Sequence, residues 1–270
     1  MSSTGRRASR RSASPDAQDE SLQKRPARKV PARKAPTRKQ PARKAPAAKA
    51  PAPVAEVHDR LGQEYPAART ELDHRDAFEL LVATVLSAQT TDVRVNSLTL
   101  ELFSRWPDAA ALAGADEEQV AALLRPLGMG GTRAGRIIGL AQDLVRDHAG
   151  EVPDDQKALE ALPGVGRKTA YVVRGAWFGH SLLAVDTHVG RLARRLGWTE
   201  AKDPVKVETA VVARVEQEAA AGGEGADGQW TDLTALHLRL ILHGRRVCLA
   251  RAPQCGHCVL ANICPSAEVA

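Results

Sequence analysis

The residues with the clearest capacity for chemistry are four cysteines close to the end of the sequence. They follow a C-x6-C-x2-C-x5-C pattern, and the sequence contains no other cysteine: Cys248, Cys255, Cys258 and Cys264. Four clustered thiolates suit a tetrahedral structural zinc ion, and they suit a [4Fe-4S] cluster equally well. A disulfide is disfavoured in a reducing cell compartment. The residue types alone therefore leave zinc and iron–sulfur open as alternatives.

A second candidate site is the glycine-containing segment that runs from Leu162 to Lys168. Gly164 and Gly166 let the backbone turn sharply and come close to another molecule. The helix predicted to follow would direct its free N–H groups and its positive dipole end at whatever lies before the turn, and a DNA phosphate suits that place. An ordinary tight turn between two helices is the alternative.

Two charged residues near this turn have the chemistry of a catalytic pair. Lys168 falls in the first turn of the predicted helix, where the dipole opposes a cation and favours the neutral, nucleophilic amine. A solvated surface lysine or a phosphate contact is the alternative. Asp186 lies eighteen residues further on and directly precedes an amphipathic segment. Its position predicts a helix N-cap, which is compatible with a catalytic role for the carboxylate.

These segments together resemble the endonuclease III family of helix-hairpin-helix, iron–sulfur DNA glycosylase/AP lyases. The resemblance covers roughly residues 54–270 and rests on the hairpin, on Leu182–Val189 around Asp186, and on the cysteine spacing. It implies a [4Fe-4S] cluster rather than zinc on the four cysteines. It also implies that Lys168 attacks the sugar C1′ to form a Schiff base, while Asp186 stabilises the positive charge that develops on the deoxyribose.

The resemblance further assigns residues that enter the DNA base stack. A damaged nucleotide has to leave the stack before its sugar is accessible, and the gap has to be filled. Gln89, in the loop 87–92, is implied to fill it, and a loop amide that satisfies the local backbone is the alternative. Met129 matches the position of an apolar wedge. Gly130 and Gly131 follow it where many relatives carry bulkier residues, which predicts a mobile wedge loop.

The remaining predicted DNA contacts are to the phosphate backbone. Gly164 and Gly166 are expected to approach a phosphate through their main chain, with Arg167 beside them. Arg251 lies in the six-residue gap between the first two cysteines, and in the family this loop points toward DNA. Arg251 is therefore expected to contact phosphates, with Arg245 and Arg246 nearby.

Most of the positive charge lies in the first fifty residues. These contain fifteen basic and three acidic residues, a balance of +12, so the other 220 residues carry −6 of the total charge of +6. Proline recurs every fifth residue from 26 to 41, which together with charge repulsion predicts an extended, disordered tail over residues 1–53. The tail is either a solubilising arm or a sequence-independent phosphate binder. The body must bind DNA through a localised face.

The sequence contains neither an apolar run long enough to span a bilayer nor the apolar core of a secretory signal. A transit peptide in the Arg- and Ser-rich residues 1–14 is the alternative. We therefore expect a cytoplasmic, nucleoid-associated protein with no membrane partner. Its expected partner is double-stranded DNA with damaged bases or abasic sites, on which it acts as a monomer.

Composition and periodicity predict an all-α fold. Aromatic residues are only 3% of the sequence, whereas the helix formers Ala, Leu, Arg and Glu are abundant. Apolar spacing predicts a helix that begins after Thr132 as N-cap, and further helices at 74–86, 116–125, 155–162, 168–178, 187–197, 203–220 and 230–243. We expect two helical lobes with a cleft between them: residues 70–181 with the helix-hairpin-helix, and residues 54–69 plus 182–270 with the cluster loop.

The function that the resemblance implies is a bifunctional DNA glycosylase/AP lyase of base excision repair. It would remove oxidised pyrimidines through the lysine Schiff base and cut the strand 3′ to the abasic site by β-elimination. A monofunctional glycosylase, in which Asp186 activates water, is one alternative. A non-enzymatic DNA-binding protein is the other. Lys168 favours the bifunctional class, because relatives specialised for adenine removal lack a lysine at the matching place.

Overall fold

The computed structural model describes residues 50–223 and 230–268. Nearly all of the predicted tail lies outside the described residues. Ala52, near the end of the segment assigned to it, is fully buried: its N–H donates to the Leu196 carbonyl (2.9 Å) and its carbonyl accepts from Trp198 Nε1 (2.7 Å). Ala52 therefore belongs to the packed body.

The described residues are helical and contain no strand, which confirms the predicted all-α fold. None of these helices is long and apolar enough to cross a membrane. Short 3-10 turns follow α5 and lie within the cysteine loop. The helices, in chain order, are α1 (Val54–Glu64), α2 (Ala77–Leu86), α3 (Asp92–Arg105), α4 (Ala109–Ala113), α5 (Glu117–Leu124), α6 (Gly130–His148), α7 (Gln156–Ala161), α8 (Arg167–Ala176), α9 (Thr187–Arg195), α10 (Pro204–Ala220) and α11 (Leu233–Arg246).

Aspartate caps determine where most of these helices begin. A carboxylate at the N-cap satisfies one or two backbone N–H groups that the helix leaves unpaired, and such a cap contributes about 1 kcal/mol. Helices α2, α4, α5, α7, α9, α10 and α11 each start after an aspartate whose side chain accepts such a bond: Asp76, Asp108, Asp116, Asp155, Asp186, Asp203 and Asp232. Helix α8 differs, because its N-cap is Gly166 and has no side chain.

Helix α3 is not predicted by the apolar spacing of the sequence. Its exposed face carries Val93 and Leu100, which are 79% and 83% exposed, so apolar residues occur on both sides of the helix and obscure its periodicity. Its N-cap, Thr91, makes no side-chain cap hydrogen bond either.

Helix α6 begins earlier than predicted, so Thr132 is not its N-cap. Met129 is the N-cap, in a left-handed conformation (φ 52°, ψ 41°), and Gly130 is the first helical residue. A Cβ on Gly130 would lie 2.6 Å from the Ala121 carbonyl oxygen, so glycine is required where α6 passes α5. The two glycines thus form the first turn of α6 rather than part of a loop, and the mobility expected at this position stays a prediction.

Two clusters of buried apolar side chains hold the helices together. One cluster joins residues of α2 to α8, including Leu81 and Leu140. The other joins α1 to α9, α10, α11 and the segment that follows, including Leu61 and Leu260. Burial of each such side chain contributes about 1.5–3 kcal/mol. The segment between α8 and α9 passes from the first cluster to the second.

Thr234, in α11, fixes this connecting segment and also lies against Gly175 of α8. Its hydroxyl oxygen lies 2.7 Å from the His180 carbonyl oxygen, to which it donates, and accepts from the Leu182 N–H (3.0 Å). On the other side, a Cβ added to Gly175 in α8 would lie only 2.6 Å from this oxygen. The closeness of the two helices thus depends on a glycine at position 175.

Replacement of Gly175 by alanine tests this contact. We expect Gly175→Ala to lower the free energy of unfolding by about 1–3 kcal/mol, because its methyl group would overlap the Thr234 hydroxyl. The control is Gly131→Ala, also within a helix, where nothing lies within 4 Å of the added carbon. Gly131→Ala should be neutral or stabilise by up to about 1 kcal/mol. Urea unfolding followed by circular dichroism measures both, and equal effects would contradict the contact.

Candidate active site

The predicted hairpin is present between α7 and α8. Gly164 has a φ of +80°, and a Cβ there would lie 3.1 Å from Val85 Cγ1, so both the backbone and the packing require glycine. The Val165 N–H donates to the Leu162 carbonyl (3.1 Å) and closes the turn. At Gly166, nothing lies within 4 Å of where a Cβ would be. The front of α8 is therefore left open in front of its first N–H groups.

Lys168, Asp186 and Gln89 line one cavity of about 220 Å³. Lys168 is exposed in the first turn of α8, and Asp186 is half-buried at the start of α9. The same three residues also line the adjoining groove, which Arg194 and Lys202 border. Residues far apart in the sequence thus meet in one concave site.

Asp186 caps α9, as its position in the sequence predicts. Its Oδ1 atom accepts hydrogen bonds from the N–H groups of His188 and Val189, both at 2.8 Å. Both bonds use the same oxygen, so the second carboxylate oxygen takes no part in the cap. The residue therefore combines a structural bond with a carboxylate oxygen left for chemistry.

His237, on α11, lies at the base of this cavity and is only 3% exposed. Burial lowers the pKa of His237 to about 4; the Asp186 charge opposes this effect, whereas the Lys168 charge adds to it. Its Nε2 atom has no hydrogen-bond partner among the described residues. The site thus contains a neutral, buried imidazole that sequence patterns do not reveal, because its role depends on what α11 packs against.

An ion-pair network that the sequence does not predict also lines the cavity. Arg245 Nη1 lies 2.7 Å from Asp92 Oδ2 and also pairs with Glu71, to which Arg246 adds a contact at 3.2 Å. Arg245 is therefore engaged by two carboxylates in this structure. A phosphate contact of Arg245 would require an exchange of partners.

The two residues predicted to enter the base stack share an unusual backbone conformation. Gln89 has a φ of 61° and Met129 a φ of 52°, both in the left-handed region that non-glycine residues rarely adopt. Met129 is also 59% exposed, which is a large fraction for an apolar side chain. It lies outside the lining of the cavity that Gln89 shares with Lys168.

The two arginines predicted to bind phosphate differ in their surroundings. Arg167 Nη2 lies 2.7 Å from Glu208 Oε1 in α10, and its guanidinium sits 4.6 Å from the centre of the Tyr171 ring. Arg251 is exposed in the cysteine loop, beside Ala252 with a φ of 49°. Their contacts with DNA stay predictions.

The four cysteines lie in the loop after α11, half-buried and without a disulfide. Burial raises the pKa of the Cys258 thiol, and the other three cysteines raise it further, so the four sulfurs are close enough to repel one another as thiolates. Arg195 Nη1 lies 3.1 Å from Cys248 Sγ and is positioned to donate to it. A cationic metal group would remove this repulsion. The donor set therefore fits a thiolate-bound cluster.

A site for a single metal ion and a site for a four-iron cluster require different distances between their ligands. Within the described ranges, no three His, Cys, Asp or Glu side chains are placed to hold one metal ion. Zinc requires every sulfur about 2.3 Å from the ion, whereas a four-iron cluster is larger and spaces its ligands more widely. Four thiolates are the ligand set that a four-iron cluster takes.

Comparison with known proteins decides the family. The model for the HhH-GPD superfamily of base excision DNA repair proteins matches residues 82–217, and the model for the iron–sulfur binding domain of endonuclease III matches residues 248–264. Endonuclease III of Synechocystis sp. is 44% identical over 207 residues, which cover 76% of this chain and 88% of that protein. The chain belongs to the endonuclease III family. Endonuclease III of Escherichia coli is 39% identical over 213 residues, 79% of this chain and 95% of that protein.

Solved structures of the endonuclease III family agree with the fold. A non-covalent endonuclease III–DNA complex and a trapped endonuclease III–DNA covalent intermediate are each 36% identical, with a TM-score of 0.69, and cover 79% of this chain and 94% of the other. A thermostable thymine-DNA glycosylase, 21% identical with a TM-score of 0.64, shares the fold. Family membership confirms the predicted enzyme class, a DNA glycosylase/AP lyase, and the predicted [4Fe-4S] cofactor.

The buried His237 predicts a pH dependence of stability. The unfolded chain binds a proton at a histidine pKa of about 6.5, which the folded chain does not bind until about pH 4, so stability falls as the pH drops through this range. Between pH 7 and pH 5, His237 should lower the free energy of unfolding of the wild-type protein by about 2 kcal/mol. In His237→Gln we expect this part of the decrease to be absent. Urea unfolding of both proteins at the two pH values measures it. An identical loss in both would show that His237 is not the group responsible.

Proposed function

We propose that Lys168 and Asp186 are the catalytic pair with which this enzyme removes oxidised pyrimidines from double-stranded DNA and cuts the strand at the resulting abasic site. The observation that carries the proposal is that both residues line one cavity, at the starts of α8 and α9. The trapped covalent intermediate of an endonuclease III supports a covalent route. A nucleophilic amine beside a carboxylate is suited to that route.

In the proposed reaction, the neutral amine of Lys168 attacks C1′ of the damaged nucleotide. The bond between C1′ and the base breaks, and the base leaves with the electron pair and takes up a proton. The carboxylate of Asp186 stabilises the positive charge that develops on the sugar. Loss of a proton from nitrogen and opening of the sugar ring then give the imine.

The same imine leads to strand cleavage. It acidifies the C2′ hydrogens, so a base removes one of these protons, and the bond between C3′ and oxygen breaks as the 3′ phosphate leaves. This β-elimination cuts the strand 3′ to the lesion. Hydrolysis of the imine releases the sugar fragment as an aldehyde and restores the Lys168 amine.

The DNA is held by main-chain groups as much as by charge. The open front of α8 offers free N–H groups beside Gly164 and Gly166, and these bind a phosphate of the damaged strand. Gln89 fills the gap left by the extruded nucleotide and Met129 separates the neighbouring bases. Arg251 contacts the backbone from the cysteine loop.

Cys248, Cys255, Cys258 and Cys264, in the loop after α11, would hold the cluster. Ligation by all four cysteines would cross-link this loop and so fix the position of Arg251. The two lobes, residues 70–181 and residues 54–69 with 182–270, are proposed to face the DNA across the cavity. The enzyme acts as a monomer at the nucleoid.

Reductive trapping tests the role of Lys168. With borohydride and a duplex that carries thymine glycol, the wild-type enzyme should form a covalent adduct and Lys168→Ala should form none. Lys157→Ala, at a residue of α7 outside the cavity, is the control and should retain the adduct. Base release without an adduct in the wild type would instead indicate a monofunctional glycosylase, and an adduct in Lys168→Ala would assign the amine elsewhere.

Asp186→Asn separates catalysis from capping. The asparagine oxygen still accepts the two N–H bonds of α9, so the thermal midpoint should stay close to wild type, whereas the loss of charge should lower the single-turnover rate by about 100-fold or more. Asp203→Asn is the matched control, since Asp203 caps α10 through a 3.0 Å bond from Lys206 N–H. A comparable rate loss in both variants would mean that Asp186 serves only as a cap.

A further inference from the structure

Arg133, in the first turn of α6, is a buried arginine bound to main-chain oxygens. It is 5% exposed, and its side chain donates three hydrogen bonds: from Nε to the Gly128 carbonyl (2.9 Å), from Nη1 to the Leu86 carbonyl (2.6 Å) and from Nη2 to the Ala88 carbonyl (2.9 Å). Arginine keeps its charge in proteins, and burial of a charge is costly unless it is well hydrogen-bonded. The free-energy cost of burying this charge therefore has to be offset by the three hydrogen bonds and by the structure that they stabilise.

The three carbonyl groups belong to two separate segments: Leu86 and Ala88 lie at the end of α2 and in the loop that follows it, and Gly128 lies in the turn before α6. Ala88 immediately precedes Gln89, and Gly128 immediately precedes Met129. Each of these following residues has a left-handed backbone, a conformation that costs of order 1–3 kcal/mol for a non-glycine residue and persists only when the surroundings enforce it. The Arg133 guanidinium group therefore donates a hydrogen bond to the carbonyl of the residue that precedes each left-handed position.

We propose that Arg133 is a positioning residue that joins the Gln89 loop and the Met129 loop into one unit, so that both side chains enter the base stack together. The inference rests on the proposed DNA contacts of Gln89 and Met129. Arg133 is itself too buried to touch DNA, and its bonds do not reach Lys168 or Asp186. Its effect therefore falls on extrusion of the nucleotide rather than on the bond cleavage at C1′.

The planar fork of arginine suits this task better than lysine does. Its nitrogens point in fixed directions and bind all three carbonyl oxygens at once, whereas a lysine ammonium is a compact group on a flexible stem. Arg133→Lys thus keeps the charge but cannot make the hydrogen bonds to both loops at the same time. Arg146→Lys is the matched control, because Arg146 is an exposed arginine of the same helix.

The measured quantity is the ratio of single-turnover cleavage rates on two abasic substrates, a duplex and the same strand alone. A single strand has no paired stack to open, so it bypasses most of the extrusion step. We expect Arg133→Lys to lower the duplex-to-single-strand ratio by about tenfold, the factor that corresponds to losing one hydrogen bond from a charged group. Arg146→Lys should leave the ratio unchanged. An equal loss on both substrates would overturn the proposal.

A second measurement links Arg133 to the two loops. In a Gln89→Ala, Met129→Ala background, addition of Arg133→Lys should lower the ratio no further, because there is no side chain left to position. An additional tenfold loss in that background would also overturn the proposal. If the wild type formed no borohydride-trapped adduct on either substrate, the proposed function would be at fault instead.

Discussion

Two helix N-termini directed at one cavity are the arrangement on which the site depends. The partial positive charge at the start of α8 lies beside Lys168, and that at the start of α9 is bound by Asp186. Helix α8 has no side-chain cap, because its N-cap residue is Gly166, so its first N–H groups stay available to a ligand. Helix α9 is capped by a carboxylate oxygen of Asp186. The hairpin turn and the Thr234-bound connecting segment both serve to hold these termini in place.

Much of this arrangement can be predicted from the sequence, because its signals are local. Aspartate caps mark helix starts, a Gly-x-Gly string marks the hairpin, and Asp186 stands directly before its helix. The parts that escape prediction depend on contacts between distant residues. The start of α6 at Gly130 follows from the approach of α5, and the neutral state of His237 follows from what covers it. Arg133 is indistinguishable in sequence from an exposed arginine, and its distant acceptors Leu86 and Ala88 become apparent only in the structure.

Two of the arginines near the site are paired with carboxylates of the protein. Arg167 is held by Glu208, and Arg245 by Asp92 and Glu71. Such partly exposed pairs contribute only about 0–1 kcal/mol each, so a phosphate can replace the carboxylate at little cost. This agrees with a body that carries a net negative charge and binds a polyanion. Before DNA arrives, the pairs keep the arginines in defined places.

The contact between Gly175 and Thr234 also limits how the two positions can vary together. A side chain at 175 and a hydroxyl at 234 compete for the same volume, and the hydroxyl is already used to hold the segment that leads to Asp186. Any larger residue at 175 therefore has to be accompanied by a smaller one at 234 and by another way of fastening that segment. In a redesigned version of this chain, the residues at positions 175 and 234 have to be chosen together, because they are coupled by steric contact rather than by charge.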